Sequence, residues 1–256
     1  MIFEVSQSTA VVPALFAPKM SLKNLKCADC KLAAACCHLA GISKRLGRNV
    51  VVTQRIPAGG YIKQAGERFD SVYVVKSGLA VSRLILSNSM RQHVVSFPAQ
   101  GDFIGVEAIA SGAYSCEYQA VTSTQICAFP FRDFERFTLI NSSFQRDFFR
   151  ILGQMRVANQ RQIVLLGVAF VEERVAAFIL MMSNLSALRG DPVTDIELPM
   201  SRRDISSFLG MTIETLCRTL SRFAREGLIA IKSKYVSIID AQRLRAMVPM
   251  NIGSLI

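Results

Sequence analysis

Ser201 to Gly227, SRRDISSFLGMTIETLCRTLSRFAREG, constrains the fold more than any other stretch of the chain. Ser201 and Asp204 have the S-x-x-D spacing of a capping box, which predicts a helix starting there. Ile205, Phe208 and Leu209 give that helix one apolar face, and Gly210 supplies the left-handed residue that ends it. Thr212 is an N-cap for a second helix. Ile213, Leu216, Leu220 and Phe223 recur at helical spacing and predict one buried stripe. The opposite face carries Glu214, Cys217, Arg218, Ser221, Arg222 and Arg225, and Gly227 closes the helix. Two short helices across a tight turn, the second with a basic face, form the pattern of a helix-turn-helix whose second helix enters a DNA major groove. An ordinary helical hairpin with a solvated face shares the periodicity. The next stretch argues against it: LIAIKSKYVSII, Leu228 to Ile239, is two β-rich runs around Lys232-Ser233-Lys234. A helix-turn-helix followed by a two-stranded wing is a winged helix, with Lys232 and Lys234 in reach of phosphate. Arg202 and Arg203, at the start of the first helix, join them as candidate DNA contacts. From Arg202 to Lys234 seven bases stand against three acids, an excess expected where phosphate contacts dominate affinity.

The remaining composition fits that reading. The 256 residues suffice for two domains, and the net charge of +11 suits a polyanionic partner, although a solvated basic surface would also carry it. A membrane span needs roughly 20 apolar residues, whereas the longest such run, Ile163 to Val171, has nine. Pro13 and Pro18 interrupt the apolar N-terminal stretch and no basic residue precedes it, so no signal peptide and no membrane partner are expected. A cytoplasmic location follows. Seven cysteines in a reducing compartment point away from disulfides and towards metal or redox use.

Residues 1–26 contain two prolines and no clear period, and read as an arm. The motif at 27–37, CADCKLAAACC, follows, with Cys27, Cys30 and Cys36 spaced C-x2-C-x5-C. Clustered thiolates suit Zn²⁺ or an iron–sulfur cluster. Either takes about four ligands, so a fourth comes from elsewhere. Cys37, Cys116, Cys127 and Cys217 are the candidates; a cysteine-rich helix end without metal is the plainer alternative. His38 adjoins the motif without a partner at regular spacing.

From about Val50 to Phe131 the pattern changes to short β runs: VVVTQRI, SVYVVKSGLAVSRLILS, QHVVSF, YQAVTS and QICAFPF. Gly59-Gly60, Gly66, Ser77-Gly78, Pro98, Gly101 and Ser111-Gly112 separate them. Many short strands at this spacing predict a sandwich, barrel or jelly roll. From about Phe134 to Phe170 the period is helical. Phe148, Leu152, Met155, Asn159, Gln162 and Leu166 step by threes and fours, as in a coiled-coil seam with a polar middle. Such a seam would pair two copies of the chain; packing on its own domain would give the same spacing. Val171 to Leu188 predicts a further helix. The expected α+β order is therefore an arm (1–26), a cysteine motif (27–37), a β-roll sensor domain (38–135), a long dimerisation helix (136–170) and a winged helix-turn-helix domain (171–256).

With these parts in this order the chain resembles the Crp/Fnr family of bacterial transcription regulators, in particular the subgroup of the fumarate and nitrate reduction regulator. The resemblance spans about Cys27 to Ile239. It rests on the cysteine motif, GDFIGVEAIASG (101–112), VEERVAAFI (171–179) and MSRRDISSFLGMTIETLCRTLSRF (200–223). It implies a β-roll of the cyclic-nucleotide-binding type and a homodimer that binds double-stranded promoter DNA and RNA polymerase. It also implies a [4Fe–4S] cluster, labile to oxygen or nitric oxide, and a TTGAT-like inverted repeat as the target. The family's β-roll ligand precedes an apolar-Pro-Phe stretch, which is CAFPF here. The implied ligands are then Cys27, Cys30, Cys36 and Cys127, with zinc or thiol chemistry as the alternative. Two departures stand out. The family's E-x-x-S-R recognition motif reads Glu214-Thr215-Leu216-Cys217-Arg218, with a thiol for the serine. Members that bind cyclic nucleotides carry Arg-Ser or Arg-Thr where this chain has Ala113-Tyr114-Ser115-Cys116, so no cyclic nucleotide is expected. The chain contains no HExxH, no dinucleotide fingerprint and only two histidines, which argues against an enzyme. An iron–sulfur redox protein is the reading from another class.

Overall fold

The computed structural model describes residues 52–86, 91–189 and 193–248. The N-terminal arm and the motif at Cys27, Cys30, Cys36 and Cys37 lie outside these residues. The chain runs through β1 (Val52–Ile56), β2 (Tyr61–Lys63), β3 (Ser71–Ser77), β4 (Ala80–Leu86), β5 (Arg91–Ser96) and β6 (Phe103–Ile104). A short helix α1 (Ala108–Ser111) leads to β7 (Cys116–Ala120) and β8 (Thr124–Pro130). These strands form two antiparallel four-stranded sheets, ordered β1-β8-β3-β6 and β2-β7-β4-β5. The tight β3–β4 turn depends on Gly78 (φ 93°), where a Cβ would lie 2.7 Å from the Thr124 backbone. The short strands β2 and β6 were not among the expected ones; two or three residues carry too little period to register.

Strand alternation divides the side chains into three cores. Tyr73, Val75, Ile104, Ile126 and Ala128 from one sheet meet Ala80 and Tyr118 from the other in the space between the sheets. Val72, Val74, Cys127 and Phe129 point to the outer face of the first sheet. Two helices cover that face: α2 (Phe131–Ile140) and α3 (Ser142–Val168), through Phe134, Phe137, Phe144 and Phe148. The helical region beginning near Phe134 is thus two helices. Asn141 leaves helical geometry and its side chain accepts from Phe144 N, starting α3 as an N-cap. The expected boundary at 135/136 falls inside α2.

The seam expected on α3 faces its own chain. Phe148 is buried against Phe103, Phe134 and Phe144, and Leu152 and Met155 pack against the same cluster. Gln162 Nε2 donates to Phe208 O at 2.9 Å, and a Cβ on Gly210 would lie 3.2 Å from Leu166. Asn159 is exposed. Apolar spacing marks a buried face without saying what buries it, and here much of that face is covered within one chain. A different stripe stands open on α3: Phe149, Val157, Ile163 and Val164 are 61, 41, 65 and 46 % exposed.

Helix α4 (Val171–Arg189) leads into β9 (Asp195–Glu197), α5 (Arg202–Phe208), α6 (Ile213–Arg225), β10 (Ile229–Lys232), β11 (Tyr235–Ile238) and α7 (Ala241–Met247). The winged unit has a three-stranded sheet, β10-β11-β9, where two strands were expected. The third core starts here and continues into the β-roll through Leu79, Val81, Val94 and Phe97. Among the described residues no helix is long and apolar enough to cross a membrane.

Candidate nucleic-acid interface

Local chemistry builds the helix-turn-helix as its sequence predicts. Ser201 caps α5 by accepting from Asp204 N at 3.0 Å, and Thr212 caps α6 by accepting from Thr215 N at 3.1 Å. Gly210 between them has φ 61°, which an L side chain rarely adopts. Arg174 on α4 holds the turn, donating to Ala169 O, Leu209 O and Gly210 O. It thereby satisfies carbonyls at two helix ends. Leu216, Leu220 and Phe223 are buried, as the stripe requires. Ile213 is not: it is 41 % exposed at the first position of α6, next to Glu214.

Glu214, Cys217, Arg218, Ser221, Arg222 and Arg225, with Thr219, line one shallow hollow along α6. Arg218 pairs with Glu214 at 2.5 Å, but both side chains are mostly exposed, so the pair can open for a ligand at little cost. Cys217 and Arg225 are exposed on the same face. Arg225 and Ser221 belong with the candidate contacts, and their helical spacing already places them there.

Arg222, on the same basic face, is held by carboxylates. Its guanidinium pairs with Glu172 at the start of α4 and lies 3.8 Å from Glu226. The Glu172 backbone amide and the Arg222 guanidinium hold the Glu172 carboxyl below the usual glutamate range. Arg222 therefore ties the second helix to α4. In the wing, Lys232 is exposed, whereas Lys234 Nζ lies 2.6 Å from Glu197 Oε1 on the neighbouring strand. Arg202 is half-buried and donates to Ser233 O at 3.5 Å; Arg203 is exposed. Ser233 itself turns the wing at φ 58°.

Of the four expected cluster ligands only Cys127 lies among the described residues. It is 8 % exposed, on the outer face of β8, with Sγ 3.8 Å from Thr53 Oγ1. Register places it opposite Thr53 on β1 and Val74 on β3. Among the described residues no three His, Cys, Asp or Glu side chains gather to hold a metal. A cysteine sulfur is the donor type that suits a soft metal or an iron–sulfur cluster. Cys116 faces the other way, between the sheets, and burial pushes its thiol up.

Tyr114 lies in the stretch Ala113-Tyr114-Ser115-Cys116, which contains no arginine. It is 1 % exposed, with its hydroxyl 2.6 Å from Ser71 O and 2.9 Å from Asp70 Oδ1. A Cβ on Gly105 would strike its ring at 2.6 Å. Burial pushes its phenol far above the usual tyrosine value, so it stays neutral. It supplies no positive charge for a phosphate.

Residues 173–247 match the Crp-like helix-turn-helix domain and residues 53–141 match the cyclic nucleotide-binding domain. The fumarate and nitrate reduction regulatory protein of Salmonella typhimurium is 30 % identical over 226 residues, covering 87 % of this chain and 90 % of its own length. The namesake from Escherichia coli K12 is 30 % identical over 217 residues, 84 and 86 % of the two chains. FixK2 from Bradyrhizobium japonicum superposes with a TM-score of 0.70 at 26 % identity, covering 78 % of this chain and 98 % of that one. The fold and the hollow on α6 together define a winged helix-turn-helix DNA-binding unit joined to a β-roll of the cyclic-nucleotide-binding class. The chain belongs to the Crp/Fnr family and is an Fnr-like transcription regulator.

Proposed function

We propose that this regulator binds promoter DNA as a homodimer under the control of a [4Fe–4S] cluster labile to oxygen or nitric oxide. Cys27, Cys30, Cys36 and Cys127 would hold the cluster, which supplies a redox-labile cross-link between the N-terminal segment and the β-roll. The target is a TTGAT-like inverted repeat, and RNA polymerase is the partner at the promoter. One observation carries the proposal: Cys127 shares an apolar cluster with Phe148, Leu152 and Met155 of α3. A change at the ligand is thus a change in the packing that supports the long helix. The likeness to two fumarate and nitrate reduction regulatory proteins supports the same reading and disfavours an iron–sulfur redox carrier. With no arginine in the stretch Ala113-Tyr114-Ser115-Cys116, cyclic nucleotide is not part of the proposal.

The dimer face is the open stripe on α3. Phe149, Gly153, Val157, Val164 and Gly167 follow at steps of four, four, seven and three, and nothing lies within 4 Å of a Cβ placed on either glycine. Small residues between large ones let a second helix approach closely. Two copies joined there would present two α6 helices to the two halves of an inverted repeat. The test is anaerobic purification followed by binding to such a repeat. A brown protein that binds the repeat and loses both properties on Cys127→Ser supports the proposal. A colourless zinc protein, or one whose DNA binding ignores Cys127→Ser, rejects it.

A further inference from the structure

We propose that Arg83 is a positioning residue that clasps the first helix of the helix-turn-helix to the β-roll and so sets the angle at which α6 is presented. Period-2 alternation puts Val81 and Arg83 of β4 on the face turned away from the space between the sheets. Arg83 stands opposite Glu117 of β7 in the ladder. Its Nη1 donates to Glu117 Oε1 at 3.2 Å and to Gln119 Oε1 at 2.7 Å. Its Nε and Nη2 donate to Asp204 Oδ1, on α5, at 3.2 and 2.9 Å. Asp204 Oδ2 accepts from Ser201 Oγ at 2.6 Å, so the carboxylate at the helix start is fixed from both sides. The Arg83, Glu117 and Asp204 side chains are only 13, 11 and 15 % exposed, which leaves little water to take over these bonds.

A second contact lies beside it. Edge strand β5 turns the Val94 N–H towards α5, and Ser207 Oγ accepts it at 2.9 Å. Beneath both, Phe97 of the β-roll lies 5.3 Å from the Phe208 ring and 6.2 Å from the Phe178 ring. Apolar burial holds the two units together but is non-directional. The planar guanidinium fork is directional, and it links one carboxylate on each unit. Ion pairs this buried add little net stability, and their attested use is to select one arrangement.

The test is hydrogen exchange on the full-length, anaerobically purified protein, comparing wild type with Arg83→Gln and Arg83→Lys. Arg83→Gln removes the charge and the fork while leaving the Ser201 cap intact. Exchange at Val94 and along α5 is expected to rise about tenfold, with α6 and the β9–β11 sheet unchanged; the lysine variant falls between. An unchanged rate at Val94 and α5 overturns the clasp. So does a rise spread evenly over the whole winged unit, which would mean simple destabilisation. The orienting role rests on the DNA-binding dimer proposed above and has its own arm. Duplexes with the half-site spacing changed by one base pair should be rejected by wild type and accepted more readily by Arg83→Gln, with single half-site binding unchanged. Undiminished discrimination by the variant overturns the orienting role. Wild type that ignores every duplex counts against the proposed function, and the exchange data then judge the clasp alone.

Discussion

At the scale of single residues, the exposed face of α6 separates readers from anchors. Arg218 is held only by a solvent-exposed partner and is free to reach a base edge, with guanine O6 and N7 its best bidentate match. Arg218→Ala should cost about 1–3 kcal/mol of binding and relax preference at one base pair of each half-site. A mobility-shift series over single-base substitutions measures both. Arg222 is committed to Glu172 and Glu226, so Arg222→Ala should weaken all sequences alike with little change in salt slope. Arg225→Ala should reduce that slope, because a phosphate contact carries released counterions. Cys217 is exposed where the family's motif has serine, and a thiol is the weaker hydrogen-bond donor. Cys217→Ser should sharpen the outermost T of the half-site and leave the G preference alone. A selection experiment returning the same base frequencies for both proteins would remove that assignment.

At the scale of elements, α3 works with two faces. Phe148, Leu152 and Met155 belong to the β-roll, and Phe149, Val157 and Val164 are open. The two faces predict separable phenotypes. Leu152→Ala should lower thermal stability, by about 2 kcal/mol for a partly filled cavity, with little effect on association. Val157→Asp should leave the melting temperature near that of wild type and keep the protein monomeric in sedimentation. A Val157→Asp protein that still sediments as a dimer would move the interface elsewhere. Helix spacing alone could not have chosen between the faces, since both carry apolar residues at threes and fours; burial in one chain decides it.

At the scale of the whole molecule, local signals were legible and distant pairings were not. The caps at Ser201 and Thr212, the turn at Gly210 and the wing around Ser233 all follow from neighbours within a few residues. The glycine-punctuated run of short strands was legible in the same way, whereas the face that Cys127 occupies came only with the register of β8. The tie from Arg222 to Glu172 was not legible, because the two residues lie far apart in the chain. Strand β9 escaped because three residues give no period, and its pairing with β11 spans the helix-turn-helix. The docking of α5 on β4 and β5 left no trace in either segment's own pattern, since Arg83 in a strand and Asp204 in a cap each have an ordinary local reading. The described residues form one continuous set of contacts from the β-roll to the winged helix. Cys127 touches the cluster that seats α3, the side chain of Gln162 on α3 reaches Phe208, and Arg83 holds the start of the same short helix.

The proposed iron–sulfur cluster would govern DNA binding through those contacts. That control is tested most directly by following the visible spectrum and the binding of a TTGAT-type inverted repeat on one anaerobic sample while air is admitted. The expected result is a brown protein whose cluster absorbance and affinity for the repeat fall together on the same time course. Cys27→Ser, Cys30→Ser, Cys36→Ser and Cys127→Ser should lack both from the start, while Cys37→Ser keeps both. Full affinity in a colourless protein, or affinity that persists after the absorbance has gone, would contradict control by the cluster.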